Sequence, residues 1–312
     1  MRGPENTQNT FYSYVSQEER IPTEHPLRML RQLVDPLLKN LSGGFNTLYA
    51  DGGRPSIPPE YLLRALLLQI LYPIRSERLL MEQLNYNLLF RWFVGLSMDD
   101  AVWDHSVFSK NRDRLLEGEI ALKFLNEVLG LARTRKLLSD EHFTVDGTLI
   151  EAWASQKSFQ KKDAPTGGRS GGDDPGNPTV NFHGEIRTNQ THQSTTDPEA
   201  RLYRKSPGKE SKLSFMGHVV IDNRHGLVVR TRYTQAAGTA ERETALEMVK
   251  VLRGRRRRRG RPMTVGADKS YDARGFIGRL KRLRVTPHVA QKEARGSSML
   301  DARTTRHVGY QI

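Results

Sequence analysis

Two aspartates of this sequence, Asp146 and Asp268, belong to apolar, strand-like stretches. Asp146 lies within HFTVDGTLIEAW, which begins at His142, and Asp268 ends MTVGAD, which begins at Met263. An unpaired carboxylate among apolar neighbours is costly, so each aspartate needs a partner. If the two strands lie side by side, the carboxylates can share Mg²⁺, which takes few protein carboxylates and leaves its other positions to water and phosphate oxygens. The pair therefore indicates a phosphoryl-transfer site, although either residue alone could instead bond a turn or a nearby arginine.

The elements around these aspartates predict a mixed α/β sheet. A hairpin (Phe215–Ile221 and Leu227–Tyr233), a helix capped by Thr239, the Asp268 strand, a basic helix (Arg274–Leu283) and a short strand (Thr286–Ala290) follow the Asp146 strand in that order. The hairpin turn holds Asp222, a turn former, and Gly226, which can supply a positive φ. The ribonuclease-H-like sheet has this order, and its first and fourth strands are adjacent. We therefore expect residues 141–312 to form a ribonuclease-H-like catalytic domain that brings Asp146 and Asp268 together.

The residues before this domain predict helices. Residues 1–25 are polar and are expected to form a flexible arm. Over residues 26–140 apolar positions recur at helical spacing, as in the helix that begins near Pro58 and carries Leu62, Leu63, Leu66, Leu67 and Ile70. Several short helices can form either a DNA-reading module or a packed cap, so DNA-end binding by this all-helical domain is one of two open interpretations.

Residues 156–212 are rich in Gly, Pro, Ser and Thr and predict a long surface insertion with little regular structure. Trp153, just before it, is expected in the core because of its apolar strand context, with base stacking as the alternative. His183 and His192 lack the spacing of a compact zinc site.

The charge of the chain is concentrated near its end. The 312 residues carry a formal net charge of +14, and residues 250–312 hold 18 Lys and Arg against 4 Asp and Glu, which accounts for the whole excess. Its centre is a run of five arginines, Arg255, Arg256, Arg257, Arg258 and Arg259. This asymmetry predicts a polyanionic partner beside the candidate site, or else a solvated basic loop. Lys269 and Arg274 flank Asp268 and are expected to hold DNA phosphates, with a surface salt bridge as the alternative.

The composition also bounds the class of protein. Cysteine is absent, which excludes disulfides and thiolate zinc sites. The longest apolar run, Leu62 to Tyr72, contains Arg64 and is too short to span a bilayer, and the N-terminus lacks a signal-peptide pattern. We expect a soluble, cytoplasmic, nucleoid-associated protein without a membrane partner.

Long motifs of this sequence resemble bacterial insertion-sequence transposases of the DDE superfamily. The likeness runs from about Ile57 to Tyr310 and is carried by IPPEYLLRALLLQILYPIRSERLL, DGTLIEAWAS, NFHGEIRTNQTHQSTTDPEARLYRKS, VGADKSYD, VTPHVAQ and RTTRHVGY. The resemblance implies metal-dependent DNA cleavage and strand transfer, with Asp146 and Asp268 as the two aspartates of the catalytic triad and Mg²⁺ or Mn²⁺ as cofactor. It also implies double-stranded DNA as partner, namely the terminal inverted repeats and the target, and a homo-oligomer that pairs two DNA ends.

The third catalytic residue of such families is a glutamate on a helix downstream of RTTRHVGY. The sequence ends at Ile312, and neither Glu293 nor Asp301 matches that position. We therefore expect the chain to lack the final Glu-bearing helix, which keeps two alternatives open. One is an inactive transposase fragment that binds element DNA and represses transposition, and the other is a nuclease with no preference for particular ends.

Overall fold

The structure is a computed structural model that describes residues 15–46, 48–49, 52, 56–139, 141–162, 187–204, 208–254, 262–292, 298–307 and 310. The chain divides into two compact units, Met1–Ala132 and Arg133–Ile312. None of the helices within these described ranges is long and apolar enough to cross a membrane.

The first unit is helical. Four of its helices begin at polar caps, since the side chains of Ser16, Ser76, Asn87 and Asp104 each accept a hydrogen bond from a first-turn backbone N–H. The helices are α1 (Gln17–Arg20), α2 (Pro26–Asn46), α3 (Pro59–Leu71), α4 (Glu77–Tyr86), α5 (Leu88–Val94), α6 (His105–Glu117) and α7 (Ile120–Thr134).

The apolar stripe that spacing predicts for α3 lies mostly in the core of this unit. Leu62 is fully buried, and Leu63, Leu66 and Leu67 are partly buried and pack against the core. Ile70, expected on the same stripe, is instead 76% exposed. The helix packs against α5 and α6. Because nearly every position of α3 is apolar, its periodicity could not fix the edge of the buried face.

The predicted flexible arm is partly ordered. Ser16 and Glu19 form a capping box at the start of α1. Ile21 is buried in the helical core, and the Glu18 carboxylate accepts hydrogen bonds from Arg28 and from the Trp92 indole. Residues 15–25 are thus attached to the helical unit, which corrects the expectation for the described part of the arm.

The second unit is built on a mixed sheet. Its strands are β1 (His142–Glu151), β2 (Phe159–Lys161), β3 (His192–Ser194), β4 (Arg201–Tyr203), β5 (Lys212–Asp222), β6 (Leu227–Gln235), β7 (Thr264–Ala267) and β8 (Thr286–Val289). Its helices are α8 (Ala240–Gly254), α9 (Arg274–Arg282) and α10 (Ala302–Thr305). The main sheet runs β5-β1-β7-β8, with β4 and β6 both paired to β5. β5 is antiparallel to β1, and β7 is parallel to it. The predicted order of elements and the adjacency of the first and fourth strands, β1 and β7, are confirmed.

The polar insertion contains more regular structure than its composition predicts. Among its described residues, β2 and β3 pair with each other and β4 joins the main sheet. Phe159 and Ala200 are buried with Ala154, Leu213 and Phe215 in a small separate core. A few apolar residues in a polar stretch are enough to anchor these short strands.

The hairpin turn between β5 and β6 is held by a buried carboxylate. Gly226 has the expected positive φ, at 68°. Asp222 is fully buried, and its carboxylate accepts hydrogen bonds from the backbone N–H groups of Arg224, in the turn, and of Ser139, at the approach to β1. Asp222 therefore joins the hairpin to the start of β1 as well as forming the turn.

Replacement of this carboxylate should destabilise the fold. Asp222→Ala leaves the buried Ser139 N–H without its acceptor, and we expect a loss of about 2–3 kcal/mol in the free energy of unfolding, measured by urea denaturation of the full chain. His225→Ala in the same turn is exposed and should change the free energy by less than about 0.5 kcal/mol. Equal stabilities for the two variants would contradict this role of Asp222.

Candidate active site

The parallel pairing of β1 with β7 determines where the two aspartates lie. The register pairs His142 with Thr264, Phe143 with Val265 and Thr144 with Gly266. Continued by two residues, this register would set Asp146 level with Asp268, which follows the last residue of β7. Both side chains are exposed to solvent. The two aspartates, 122 residues apart in the chain, thus lie on or just beyond neighbouring strands.

Each aspartate is oriented by hydrogen bonds to residues that follow it. Asp146 Oδ1 accepts from the Gly147 N–H at 2.8 Å. Asp268 caps a short 3-10 turn, Lys269–Tyr271, and its Oδ1 accepts from the Ser270 N–H at 2.9 Å and the Ser270 hydroxyl at 2.6 Å. In both aspartates the acceptor of these bonds is Oδ1, and the bonds hold each carboxylate in one orientation.

A third carboxylate, Glu241, lies next to this pair. It is half-buried in the first turn of α8, and its side chain rests on Gly147, the residue after Asp146. A methyl group at Gly147 would come within 2.8 Å of Glu241 Cγ and 2.9 Å of its Oε1. From the sequence, Glu241 reads only as a favourable charge at a helix N-terminus. Its contact with Gly147 depends on how α8 packs on β1, which the local sequence does not determine.

Tyr271 is buried beside these three acidic groups. Its side chain is 1% exposed, and its hydroxyl has no hydrogen-bond partner among the described residues. Burial raises the pKa of Tyr271, and the negative charges of Glu241, Asp146 and Asp268 raise that pKa further. The hydroxyl is therefore close enough to all three carboxylates to respond to their charge.

The donor set suits a divalent cation. Hard cations such as Mg²⁺ prefer oxygen ligands, and three carboxylates with a buried hydroxyl that lacks a partner provide only oxygens. Within the described ranges, no three His, Asp or Glu side chains are gathered closely enough to enclose an ion. To bind an ion together, the exposed side chains of Asp146 and Asp268 would have to rotate toward each other.

The predicted phosphate-binding residues lie in different places. Lys269 and Arg274 are both exposed and follow the carboxyl end of β7, on the side of Asp268. Arg274 is the first residue of α9, where the helix dipole disfavours a cation, so this charge is not explained by helix stability. Arg255, Arg256, Arg257, Arg258 and Arg259 lie outside the described residues.

Other basic residues line a cavity at the opposite end of the parallel strands. This cavity has a volume of about 520 Å³ and is lined by Arg253, Pro262, Lys281, Arg284, Val285, Thr286, Pro287 and Thr304. Thr286 begins β8 and Pro262 precedes β7, whereas Asp268 follows the carboxyl end of β7. The basic excess was expected beside the candidate site, but the described part of it is divided between the two ends of the sheet. The cause is α9, which runs back along the strands and carries Lys281 away from Asp268.

Trp153 was expected in the core and is instead fully exposed. β1 ends at Glu151, and Trp153 lies in the bend that follows, so strand alternation no longer sets the direction of its side chain. An exposed tryptophan is compatible with the alternative of base stacking.

Asp272, which follows β7, binds two segments that come after β8 in the chain. It is 1% exposed, and its carboxylate accepts hydrogen bonds from the backbone N–H groups of Met299 at 2.9 Å and Lys292 at 3.2 Å. Burial acts to raise the pKa of Asp272, but the bonds from Met299, Ser298 and Lys292 outweigh it and lower the pKa overall. Asp272 is therefore a structural carboxylate, four residues from Asp268.

Adjacent strands with an aspartate each, in a ribonuclease-H-like mixed sheet, define a class of proteins that act on phosphodiesters with divalent cations. The family model of the Transposase DDE domain matches residues 138–311, and the Transposase domain (DUF772) matches residues 15–114. This chain belongs to the Transposase DDE domain family, whose members use divalent metal ions to cleave DNA and transfer its strands.

The chain is also similar to solved structures of the Mos1 transposase. The mariner Mos1 paired end complex with Mn shares 15% sequence identity at a TM-score of 0.24, and the match covers 86% of this chain and 68% of that one. The Mos1 Strand Transfer Complex shares 16% identity at a TM-score of 0.23, over 80% of this chain and 63% of that one. At such TM-scores the likeness adds nothing to the assignment, which rests on the family match and the sheet topology. No curated protein matches the chain.

The lowered pKa of Asp272 leads to a pH-dependent stability. A carboxyl group whose pKa is lower in the folded state stabilises the fold above its unfolded pKa and loses this effect as the pH falls through the folded value. At pH 7 we expect Asp272→Asn to unfold about 1–2 kcal/mol more easily than the parent chain, because it loses charge-assisted bonds. The difference should shrink below about pH 4.

Urea denaturation at pH 7 and at pH 3 measures this difference. Asp99→Asn, which alters an exposed carboxylate, is the control and should match the parent at both pH values. A difference for Asp272→Asn that grows on acidification would contradict the assignment.

Proposed function

We propose that this chain cuts DNA at the ends of an insertion sequence and joins those ends to target DNA, with Asp146 and Asp268 as ligands of catalytic Mg²⁺ or Mn²⁺. The parallel β1–β7 pairing carries this proposal, because its last pair, Thr144 with Gly266, lies two residues before Asp146 and two before Asp268. Membership of the Transposase DDE domain family supports the reaction type. We assign the catalytic unit to residues 141–312 and a possible role in DNA-end binding to residues 26–140.

The residues of this site have separable roles. A divalent cation, when bound, would lower the pKa of an attacking water or hydroxyl and offset charge on the phosphate. Asp146 and Asp268 would hold it, and Ser270 keeps Asp268 oriented through its N–H and hydroxyl. The buried Tyr271 ring packs against Phe276, with ring centroids 5.1 Å apart, and gives the site a rigid apolar floor.

The DNA contacts in this proposal come from basic residues on the aspartate side. Lys269 and Arg274 would bind backbone phosphates next to the bond that is cut, and the arginines 255–259 would add affinity that does not depend on sequence. The substrates are double-stranded DNA with terminal inverted repeats and a target duplex. Since two ends must be paired, we propose a homo-oligomer that acts at the nucleoid, in the cytoplasm.

Removal of either aspartate should stop cleavage without removing binding. With flanking element DNA and Mg²⁺ or Mn²⁺, we expect Asp146→Asn and Asp268→Asn each to cut at least about 100-fold more slowly than the parent chain. Chelator should have the same effect on the parent. DNA affinity, measured by gel shift without metal, should be unchanged or slightly tighter, because a negative charge near the phosphates has been removed.

Glu151→Gln is the control for this experiment. Glu151 ends the same strand, is exposed, and pairs with Lys212 on the surface, so its loss should leave cleavage at the parent rate. If Asp146→Asn cuts as fast as the parent, the site assignment is wrong. Tight, specific binding by a parent chain that never cuts with either metal would instead favour a DNA-binding repressor.

The two ends of α9 allow a test of where DNA lies. Arg274→Gln should lower the slope of log affinity against log salt concentration by about one, because one phosphate contact is lost. Arg282→Gln removes the same charge from the other end of the same helix and should leave the slope unchanged. Fluorescence anisotropy with labelled duplex DNA at several salt concentrations measures both slopes.

An effect of Arg282→Gln larger than that of Arg274→Gln would contradict this placement. The DNA would then follow the basic cavity lined by Arg253, Lys281 and Arg284 rather than the aspartate side.

A further inference from the structure

The position of Glu241 is not explained by the needs of α8 alone. An acidic residue in the first turn favours the helix dipole, but Glu243 supplies the same charge in the same turn from an exposed position. Glu241 instead turns toward the sheet, with its carboxylate against the backbone of β1. The contact needs a glycine at position 147, since any side chain there would meet Glu241 at less than 3 Å. The chain therefore leaves a space beside Asp146 that this carboxylate fills.

The electrostatics of this space are unfavourable without a positive charge. Asp146, Asp268 and Glu241 are like charges that all act on one buried hydroxyl, and like charges repel one another. Arg242 supplies one nearby positive charge, and its guanidinium reaches toward the Ser270 carbonyl at 3.5 Å. A divalent cation bound among the three carboxylates would offset their mutual repulsion.

The Tyr271 hydroxyl points to a missing ligand at the same place. It is buried and, in the described part of the chain, makes no hydrogen bond. A buried donor without an acceptor costs about 1–3 kcal/mol. A carboxylate oxygen drawn inward by a cation, or a water bound to that cation, would supply the acceptor.

We infer that Glu241 is a third carboxylate ligand of the divalent cation that Asp146 and Asp268 hold. The inference rests on the proposed function and extends it, because it assigns the ligand set to three elements, β1, the end of β7 and the first turn of α8. Gly147 is a positioning residue, since its missing side chain admits the Glu241 carboxylate to the strand. Glu241 lies against Gly147, the residue next to Asp146 on β1, so the two carboxylates belong to the same stretch of the strand.

Binding of Mn²⁺ to the full chain tests this inference without any reaction. Electron paramagnetic resonance of free Mn²⁺ gives the dissociation constant for the parent chain, Glu241→Gln and Glu243→Gln. We expect Glu241→Gln to bind Mn²⁺ at least about tenfold more weakly. Glu243→Gln removes the same charge from the same helix turn, so it should bind within about twofold of the parent, which is the change expected from a weak, screened charge.

Gly147→Ala provides a second test in which every carboxylate is kept. Its methyl group would displace the end of the flexible Glu241 side chain, so folding stability should change little while Mn²⁺ binding weakens. If both substitutions act through one contact, the double variant Gly147→Ala with Glu241→Gln should bind no more weakly than Glu241→Gln alone. Circular dichroism in the presence of chelator verifies that each variant is folded. If Glu241→Gln does not fold, Mn²⁺ binding by Gly147→Ala alone tests the inference.

Asp146→Asn separates failure of this inference from failure of the proposed function. Weaker Mn²⁺ binding by Asp146→Asn but not by Glu241→Gln would overturn the role of Glu241 and leave the proposed site intact. Equal weakening by Glu241→Gln and Glu243→Gln would also overturn it, because the effect would then be one of general charge. If the parent binds no Mn²⁺, or Asp146→Asn binds as tightly as the parent, both proposals are wrong.

Discussion

The parallel pairing of β1 with β7 is the constraint on which the candidate site depends. It is held by apolar side chains, since Phe143 and Val145 on β1 and Val265 on β7 are at most 4% exposed. A shift of one residue would turn these side chains toward solvent, and the exposed apolar surface would cost several kcal/mol of folding free energy. The register is therefore strongly specified. The aspartates are aligned as a consequence. The core therefore determines the geometry of residues that take no part in it.

Four aspartates of the second unit fall into two groups by their surroundings. Asp222 and Asp272 are buried, and each accepts backbone hydrogen bonds that join distant segments. Asp146 and Asp268 are exposed and, among the described residues, accept hydrogen bonds from residues one or two positions further along the chain. The first group stabilises the sheet, while the second can exchange its local bonds for a cation. Glu241 differs from both groups, because it is half-buried and lies where a side chain on Gly147 would be.

Much of the fold could be predicted from local patterns, and the site only in part. The strand that carries Asp146, the hairpin turn at Gly226, the helix after it and the strand that ends before Asp268 follow from spacing and turn residues, and the structure has them in that order. Features decided by packing could not be read in this way. The exposure of Ile70 on α3, the exposure of Trp153 beyond the end of β1 and the contact of Glu241 with Gly147 depend on which elements meet in space. The capping box of Ser16 and Glu19 is a local sequence pattern, but the polar composition of residues 1–25 led instead to the prediction of a flexible arm.

Oxidative cleavage of the chain by bound Fe²⁺ tests the central claim most directly, because iron in a Mg²⁺ site cuts the peptide backbone next to its ligands when ascorbate and peroxide are added. The account predicts cuts near both Asp146 and Asp268, suppressed together by excess Mg²⁺ and lost together in either Asp→Asn variant. Mass spectrometry of the fragments locates them. Cuts near only one of the two aspartates, or cuts that Mg²⁺ does not suppress, would contradict a shared cation site.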